Sequence, residues 1–165
     1  MNKGIVLDMD GTINKFYEVP HWLDMLRAEC AAPYALAKPI ENIGKINAML
    51  ATLQAFGYTV EIVSWLSKNK ASKQFNKSVR NNKRKWLKDN LPAIDSKNIH
   101  IVKYGTNKWS VAKNKGAILF DDEIDNCNAW NKNSNSGYSI HVDDSTKVYS
   151  MLKCLVMQEL EKEHV

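Results

Sequence analysis

The sequence is poor in the features that mark secreted and membrane-spanning proteins. Its 165 residues include three cysteines, an odd number without the spacing of metal ligands: Cys30, Cys127 and Cys154. We therefore expect free thiols in a reducing cytoplasm rather than disulfides. No apolar run approaches the roughly 20 residues that a membrane-spanning helix requires. Residues 1–4 lead directly into a predicted strand, so we expect no signal peptide. These absences predict a cytoplasmic protein with no membrane partner.

The sequence also lacks internal repeats, low-complexity segments and the glycine-rich phosphate loop of kinases, and its four histidines are not spaced as metal ligands. Apolar residues make up 44% of the chain, an ordinary share for a globular protein. A chain of 165 residues can bury a substantial core. We therefore predict one globular domain over residues 1–165.

Apolar segments and helical periodicity alternate along the chain. We predict strands at residues 4–7, 58–64, 99–102, 116–120 and 138–142. Helical patterns cover residues 40–56, 70–91 and 145–163, and residues 131–137 are predicted as a polar loop. Strands that alternate with helices indicate βαβ units, so the predicted fold class is α/β with a central parallel sheet.

Two carboxylates follow the first predicted strand. The apolar run 4–7 ends in Asp8 and Asp10, and Gly11 then allows the chain to turn sharply. Alternate residues of an extended chain share a face, so the two carboxylates can approach one point. Neighbouring carboxylates repel each other unless a cation lies between them, which indicates a site for a hard divalent metal. The alternative interpretation is an acidic turn after a strand.

Polar residues also follow the second and fourth predicted strands, and a lysine precedes the fourth. These residues are Ser64, Lys108, and the pair Asp121 and Asp122. Because ligands of open α/β sheets bind at the carboxyl ends of the strands, we expect these side chains to converge on Asp8. Each has a structural alternative, since a serine can simply end a strand and an acidic pair can cap the next helix. Three other lysines compete with Lys108 for its role: Lys103, Lys113 and Lys115.

Together these residues resemble the four motifs of the haloacid dehalogenase (HAD) phosphohydrolase superfamily. The resemblance rests on residues 8–12 (Asp-Met-Asp-Gly-Thr), Ser64, a lysine before the fourth strand and residues 119–122 (Leu-Phe-Asp-Asp), and it spans residues 4–126. Residues 105–108 and 121–130 resemble, more narrowly, the 5′-nucleotidase and deoxyribonucleotidase-like branch, which has phage and bacterial members. The resemblance implies a HAD-like Rossmannoid three-layer fold with a small cap insertion at about residues 14–39.

The resemblance also implies the chemistry of the site. Asp8 would attack phosphorus to form an aspartyl-phosphate, and Asp10 would serve as general acid and then as general base. Ser64 and Lys108 would bind the phosphoryl group. The cofactor would be Mg²⁺, and its implied ligands are Asp8, Asp121, Asp122 and Asp10, the last usually through its backbone carbonyl in this superfamily.

The insertion and a basic stretch of the chain bear on the substrate. Phe16, Tyr17 and Trp22 of the insertion are candidates for stacking on a nucleobase, although each can instead pack the insertion against the core. Phe16, Tyr17 and Trp65 are the candidates for contact with the substrate. Basic residues are dense, and acids almost absent, between Lys68 and Lys88. Such a helix is either a solvated face, a surface that steers anionic substrates, or a site for a nucleic-acid backbone.

The predicted function is Mg²⁺-dependent hydrolysis of a phosphomonoester through a phospho-aspartate, with a (deoxy)nucleoside monophosphate as the favoured substrate. One alternative is a 3′-phosphatase that acts on polynucleotide ends. Another is a non-catalytic HAD-like module that binds nucleic acid or protein. The small cap also allows an oligomer in which a partner subunit covers the site.

Overall fold

A five-stranded parallel sheet forms the centre of the structure, a computed structural model that describes residues 3–68, 71–133 and 137–163. The strands are β1 (Gly4–Leu7), β2 (Thr59–Trp65), β3 (Ile99–Val102), β4 (Ile118–Asp121) and β5 (Ser139–His141). They lie in the order β3-β2-β1-β4-β5, and every neighbouring pair is parallel. The predicted α/β class with a central parallel sheet is confirmed.

Helices cover both faces of this sheet. They are α1 (Trp22–Arg27), α2 (Ala32–Leu36), α3 (Ile43–Ala55), α4 (Lys73–Asn90), α5 (Lys108–Val111), α6 (Ile124–Asn133) and α7 (Thr146–Glu163). Ile5 and Leu7 of β1 pack in a core with α3, α4 and α7, whereas Val6 packs on the opposite face with α5 and α6. Burial on both faces explains the continuous apolar run of β1. Among the described residues, no helix is both long and apolar enough to cross a membrane.

Capping and strand pairing account for differences between predicted and observed boundaries. Helix α4 begins at Lys73 rather than at residue 70, because the Ser72 hydroxyl caps it by accepting a hydrogen bond from the Phe75 amide (3.1 Å). Strand β2 extends one residue beyond its predicted end, since Trp65 pairs with Val102 of β3.

Asparagine side chains extend or begin two helices that differ from the prediction. Helix α6 continues through residue 133, where the Asn133 side chain donates to the Ala129 carbonyl (2.7 Å), so the start of the predicted loop 131–137 is helical. Helix α5 was not predicted, and the Asn107 side chain caps it by accepting from the Trp109 amide (3.0 Å). Residue 70, the predicted start of helix 70–91, and residue 69 before it lie outside the described residues. So do residues 134–136 of the predicted loop 131–137.

The strand order positions the residues that follow β1 and β4. Strands β2 and β3 lie on one side of β1, and the chain then crosses to β4 on the other side, so the order reverses beside β1. In open α/β sheets, ligands bind outside the carboxyl ends of the strands at such a switch point. Asp8 directly follows β1 and Asp121 ends β4, so both carboxylates lie at this point.

Residues 15–38 form an insertion whose two ends lie side by side. An isolated β-bridge joins Asn14 to Pro39. Within the insertion, α2 packs on α4, where the Trp86 indole donates to the Ala37 carbonyl (2.7 Å). The bridge lies at the bounds predicted for the cap, and the role of the insertion as a cap stays a prediction.

Candidate active site

Asp8 lies in a buried ionic cluster at the carboxyl end of β1. Its Oδ1 accepts a hydrogen bond from Lys108 Nζ (2.5 Å), and the same ammonium donates to Asp121 Oδ2 (2.6 Å). None of the three side chains is more than 9% exposed. Burial lowers the pKa of Lys108, but the charges of Asp8 and Asp121 outweigh burial and hold that pKa above its ordinary value. The structure therefore brings a fixed positive charge against the candidate nucleophile.

Lys108 reaches the cluster because it is the first residue of α5. The lysines that compete with it in the sequence lie elsewhere. Lys113 Nζ donates to the Lys97 carbonyl (3.0 Å), Lys115 Nζ donates to the Trp109 carbonyl (2.6 Å), and Lys103 is exposed. The structure thus places Lys108, rather than any of these three, beside Asp8.

Besides Lys108, two groups donate hydrogen bonds to the Asp121 carboxylate. Its Oδ1 accepts from the Glu123 amide (2.9 Å), and the Asn126 side chain donates to both carboxylate oxygens (3.2 and 3.1 Å). Burial and the charge of Asp8 raise the pKa of Asp121 to about 6, against the lowering effect of Lys108. Sequence reasoning gave Asn126 no part in the site. Its only signal was its place in the first turns of the helix that follows the acidic pair.

Asp122 is tied to Asp8 through Thr12. The Thr12 hydroxyl lies between Asp8 Oδ2 (3.1 Å) and Asp122 Oδ1 (3.2 Å), and it accepts from the Asp122 amide (3.1 Å). Burial and repulsion by Asp8 and Asp121 raise the pKa of Asp122 to about 7. The loop requires Gly11, which has φ +83° and whose absent Cβ would lie 2.4 Å from Asp122 Oδ2.

Asp10 contacts a second buried lysine, which sequence reasoning missed. Asp10 Oδ2 accepts a hydrogen bond from Lys83 Nζ (2.5 Å), and Lys83 also donates to Ser64 Oγ (2.8 Å). Burial raises the pKa of Asp10 above its ordinary value, and the charge of Lys83 opposes this rise. Ser64 is 1% exposed and does not line the cavity described below, so the structure places its hydroxyl against Lys83.

The interpretation of the basic stretch as a solvated helix face is wrong for Lys83. The side chain is fully buried, because it lies on the stripe of α4 that faces the core. Val79 precedes it by four residues and Leu87 follows it by four, and both are buried. The signal in the sequence was therefore the position of one lysine within the apolar periodicity of the helix.

A cavity of about 240 Å³ opens beside Asp8 and Asp10. Its aromatic lining comes from the insertion, from the end of β2 and from the segment after β3: Phe16, Tyr17, Trp22, Tyr34, Trp65 and Tyr104. The ring centroids of Trp65 and Tyr104 lie 4.8 Å apart. Among the candidates for substrate contact, Tyr17 is 49% exposed and Trp65 is partly exposed, whereas Phe16 is buried and stacks on Tyr34. Tyr17 and Trp65 are thus the more accessible of the three.

Comparison with solved structures finds a similar fold in D,D-heptose 1,7-bisphosphate phosphatase from Burkholderia thailandensis, with a TM-score of 0.52. The two chains are 13% identical, and the similarity covers 96% of this chain and 98% of the other. Neither a family model nor a curated protein matches the sequence. This chain has a HAD-like Rossmannoid fold. That prediction from the strand-end motifs is confirmed.

Three carboxylates of the HAD-like core each offer an oxygen within 4.8 Å of the others: Asp8, Asp121 and Asp122. The Asp10 carboxylate is not among them and is bound to Lys83 instead. Counting Asp10, four carboxylates face the two ammonium groups of Lys83 and Lys108, so the ionised site has an excess of two negative charges. A donor set of oxygens with that charge fits a hard divalent cation such as Mg²⁺.

Mg²⁺ is expected to stabilise the folded protein against heat. Binding to the folded state alone raises the free energy of unfolding by about 2.7 kcal/mol when Mg²⁺ is 100-fold above its Kd, or roughly 5–10 °C in Tm for a chain of this length. Thermal unfolding with Mg²⁺ and with EDTA measures the shift. The variant Asp122→Asn should lose most of it, whereas Asp125→Asn, at an exposed position of α6, should keep it. An equal Tm in Mg²⁺ and EDTA contradicts a site in this cluster.

Proposed function

We propose that this protein is a Mg²⁺-dependent phosphomonoester hydrolase that acts through a phospho-aspartate on Asp8. The observation that carries the proposal is the setting of Asp8, a buried carboxylate at the cavity with Lys108 on one oxygen and two further carboxylates within 4.8 Å. A carboxylate that attacks a phosphoryl anion needs compensating positive charge, and Lys108 supplies part of it. Asp8, Asp121 and Asp122 would hold Mg²⁺, which would supply the rest of this charge and polarise a phosphoryl oxygen.

In the first half of the reaction, an oxygen of Asp8 forms a bond to phosphorus as the bond from phosphorus to the leaving oxygen breaks. Asp10, which lines the same cavity, gives its proton to that leaving oxygen. The alcohol product departs and the phosphoryl group stays on Asp8. Thr12 and Lys108 hold the two oxygens of Asp8, so the attacking group is oriented before the substrate binds.

In the second half, water attacks phosphorus of the phospho-aspartate and Asp10 takes the proton of that water. The bond between phosphorus and the Asp8 oxygen breaks, which releases inorganic phosphate and restores the Asp8 carboxylate. The proton from water replaces the one that Asp10 gave to the leaving oxygen, so the cycle balances. Asp121 uses both oxygens to accept from Lys108, Asn126 and the Glu123 amide, whereas Asp122 Oδ1 only lies near the Thr12 hydroxyl (3.2 Å), whose one proton is shared with Asp8. This contrast supports Asp122 as the carboxylate with more capacity left for the cation.

The proposed substrate is a (deoxy)nucleoside monophosphate. Six aromatic side chains line the cavity next to Asp8, and stacking on an aromatic ring is worth about 1–3 kcal/mol per base. Tyr17 from the insertion and Trp65 at the end of β2 are accessible enough to contact a planar ring. The cavity volume of about 240 Å³ suits a small molecule rather than a large phosphorylated scaffold.

The experiment is a measurement of phosphate release from deoxynucleoside 5′- and 3′-monophosphates, a 3′-phosphorylated oligonucleotide, a sugar bisphosphate and an aryl phosphate. Each is assayed in Mg²⁺ and in EDTA. Metal-dependent release that is fastest with a mononucleotide supports the proposal as a whole. Release that is fastest with the sugar bisphosphate keeps the hydrolase and contradicts the nucleotidase. No release from any of the five, by folded protein in Mg²⁺, contradicts the hydrolase.

A second candidate function, removal of a 3′-phosphate from a polynucleotide end, is favoured by the surface of α4. Exposed basic residues repeat every three or four positions along one side of this helix: Lys73, Lys77, Arg80, Arg84 and Lys88. Their spacing corresponds to roughly 4.5–6 Å along the helix axis. Lys68, which precedes the helix, lines the cavity. A row of cations that leads from the cavity fits a polyanionic strand.

A triple variant distinguishes the two substrates. Replacement of Lys73, Lys77 and Arg80 by glutamine should lower kcat/KM for a 3′-phosphorylated oligonucleotide by about tenfold or more, and should leave the mononucleotide unchanged, if a strand lies on α4. The oligonucleotide KM should also rise with salt. Equal kinetics for wild type and variant with both substrates identify this side of α4 as a solvated face. Strand binding without turnover points instead to the non-catalytic module.

A further inference from the structure

Lys83 is a fully buried lysine whose ammonium has a complete set of partners. Its three N–H donors meet three acceptors: Asp10 Oδ2 at 2.5 Å, Ser64 Oγ at 2.8 Å and the Trp65 carbonyl at 2.7 Å. The ammonium also lies 4.8 Å from the centre of the Tyr34 ring. Since all its donors are used and none faces water, the position of this group is closely determined.

Folding alone does not call for a charge at this position of α4. A buried ion pair loses much of its attraction to the cost of desolvation, and apolar residues of similar volume in its place are often as stable or more stable. The neighbouring core positions of the helix, Val79 and Leu87, are apolar. A lysine among them therefore points to a role in the site that its ammonium reaches.

We propose that Lys83 is the positioning residue of Asp10 and holds one oxygen of that carboxyl so that the other faces the leaving group of the substrate. Lys83 binds Oδ2, whereas Oδ1 lies 3.5 Å from the Asn14 side chain, at the limit of a hydrogen bond. Asp10 is 18% exposed and lines the cavity, so Oδ1 is the oxygen left for the substrate. This inference rests on the proposed hydrolase function and deepens it.

Lys83 connects Asp10 to rigid parts of the fold. Asp10 lies in the loop after β1, and its carboxyl has no strand of its own to support it. Ser64 and Trp65 belong to β2, and Lys83 belongs to the 18-residue helix α4. One ammonium thus joins the loop, the sheet edge and the helix. A proton donor must be held in place for efficient transfer, and this junction supplies that constraint.

Loss of Lys83 should affect substrates differently according to their leaving groups. Asp10 passes a proton to the leaving oxygen as the bond to phosphorus breaks, and an alkoxide needs this proton more than a phenolate of an acidic phenol does. Loss of the lysine that positions Asp10 should therefore harm alkyl phosphomonoesters selectively. A purely structural loss harms both classes equally.

The first test compares Lys83→Met with wild type in Mg²⁺, through kcat/KM for a deoxynucleoside monophosphate and for an aryl phosphate with an acidic phenol. General acid catalysis is typically worth 10²–10⁴-fold, so we expect a loss of about 100-fold for the nucleotide and less than about fivefold for the aryl phosphate. Lys85→Met, at an exposed position of the same helix outside the basic row, is the control and should match wild type. Equal losses with both substrates overturn the proposal.

The second test repeats the substitution without Asp10. In an Asp10→Ala background, Lys83→Met should cause no further loss of kcat/KM for the nucleotide, and a further large loss overturns the proposal. The free energies of unfolding of the same four proteins give a readout that needs no turnover. Non-additive effects of the two substitutions support the contact, and additive effects overturn it even if wild type hydrolyses no phosphomonoester. Failure of the Lys83 proposal can therefore be distinguished from failure of the hydrolase proposal.

Discussion

Asparagine in place of Asp8 is expected to lower kcat by at least about 10⁴-fold, the scale seen when a covalent nucleophile is removed. The amide has nearly the shape of the carboxylate and still offers an oxygen to Lys108, but it is neutral and cannot form the phospho-aspartate. Phosphate release from a deoxynucleoside monophosphate measures the loss. Intact mass after acid quenching should show a phosphoryl adduct on wild type and none on Asp8→Asn.

The matched control is Asp125→Asn, the same chemical change at an exposed position of α6. It should retain full activity and the wild-type adduct. Circular dichroism and Tm should show that Asp8→Asn is folded. Turnover by folded Asp8→Asn within tenfold of wild type rules out Asp8 as the nucleophile. An adduct that persists in this variant leads to the same conclusion and identifies another acceptor.

Methionine in place of Lys108 is expected to produce the second largest loss, about 10²–10³-fold in kcat, because the fixed positive charge beside the phosphoryl group disappears. The same substitution leaves Asp8 and Asp121 facing each other without the ammonium between them. Removal of one member of a buried ionic cluster typically destabilises a protein by about 3–5 kcal/mol. Urea unfolding in EDTA measures this loss, and added Mg²⁺ should recover part of it by lying among the same carboxylates.

Lys103→Met is the control for Lys108→Met, since Lys103 is exposed and was an alternative for the same role in the sequence. It should change neither kcat nor stability. Activity is to be measured where unfolding curves show that the Lys108 variant is folded, so that lost charge and lost fold are not confused. Wild-type activity of folded Lys108→Met contradicts the role given to the ammonium.

The sheet and much of its order were predictable because a parallel strand buried on both faces leaves a continuous apolar run. Residues 4–7 and 99–102 are the strands β1 and β3. Less predictable were features that depend on a local cap. Ser72 sets the start of α4, and Asn107 begins α5 in a segment without periodicity. A single polar side chain decides such boundaries, and sequence periodicity does not report it.

In the site, the carboxylates were predictable and their supporting residues were not. Asp8 and Asp121 follow apolar strands, so their place at the sheet edge followed from the sequence. Asn126 and Thr12 hold those carboxylates through contacts between elements distant in the chain. Lys83 is one of many lysines in α4, and only its spacing of four residues from the buried Val79 and Leu87 distinguishes it from the exposed ones.

The insertion, which contributes four aromatic residues to the cavity lining, also bears on how substrate enters. Its ends meet at the bridge between Asn14 and Pro39, and α2 is bound to α4 through Trp86. The conformational entropy of these aromatic residues is therefore lost during folding rather than at each encounter with substrate. Preorganisation of this kind favours fast association and release without a gating step. The rate of turnover should then follow the chemistry at Asp8 rather than the opening of a lid.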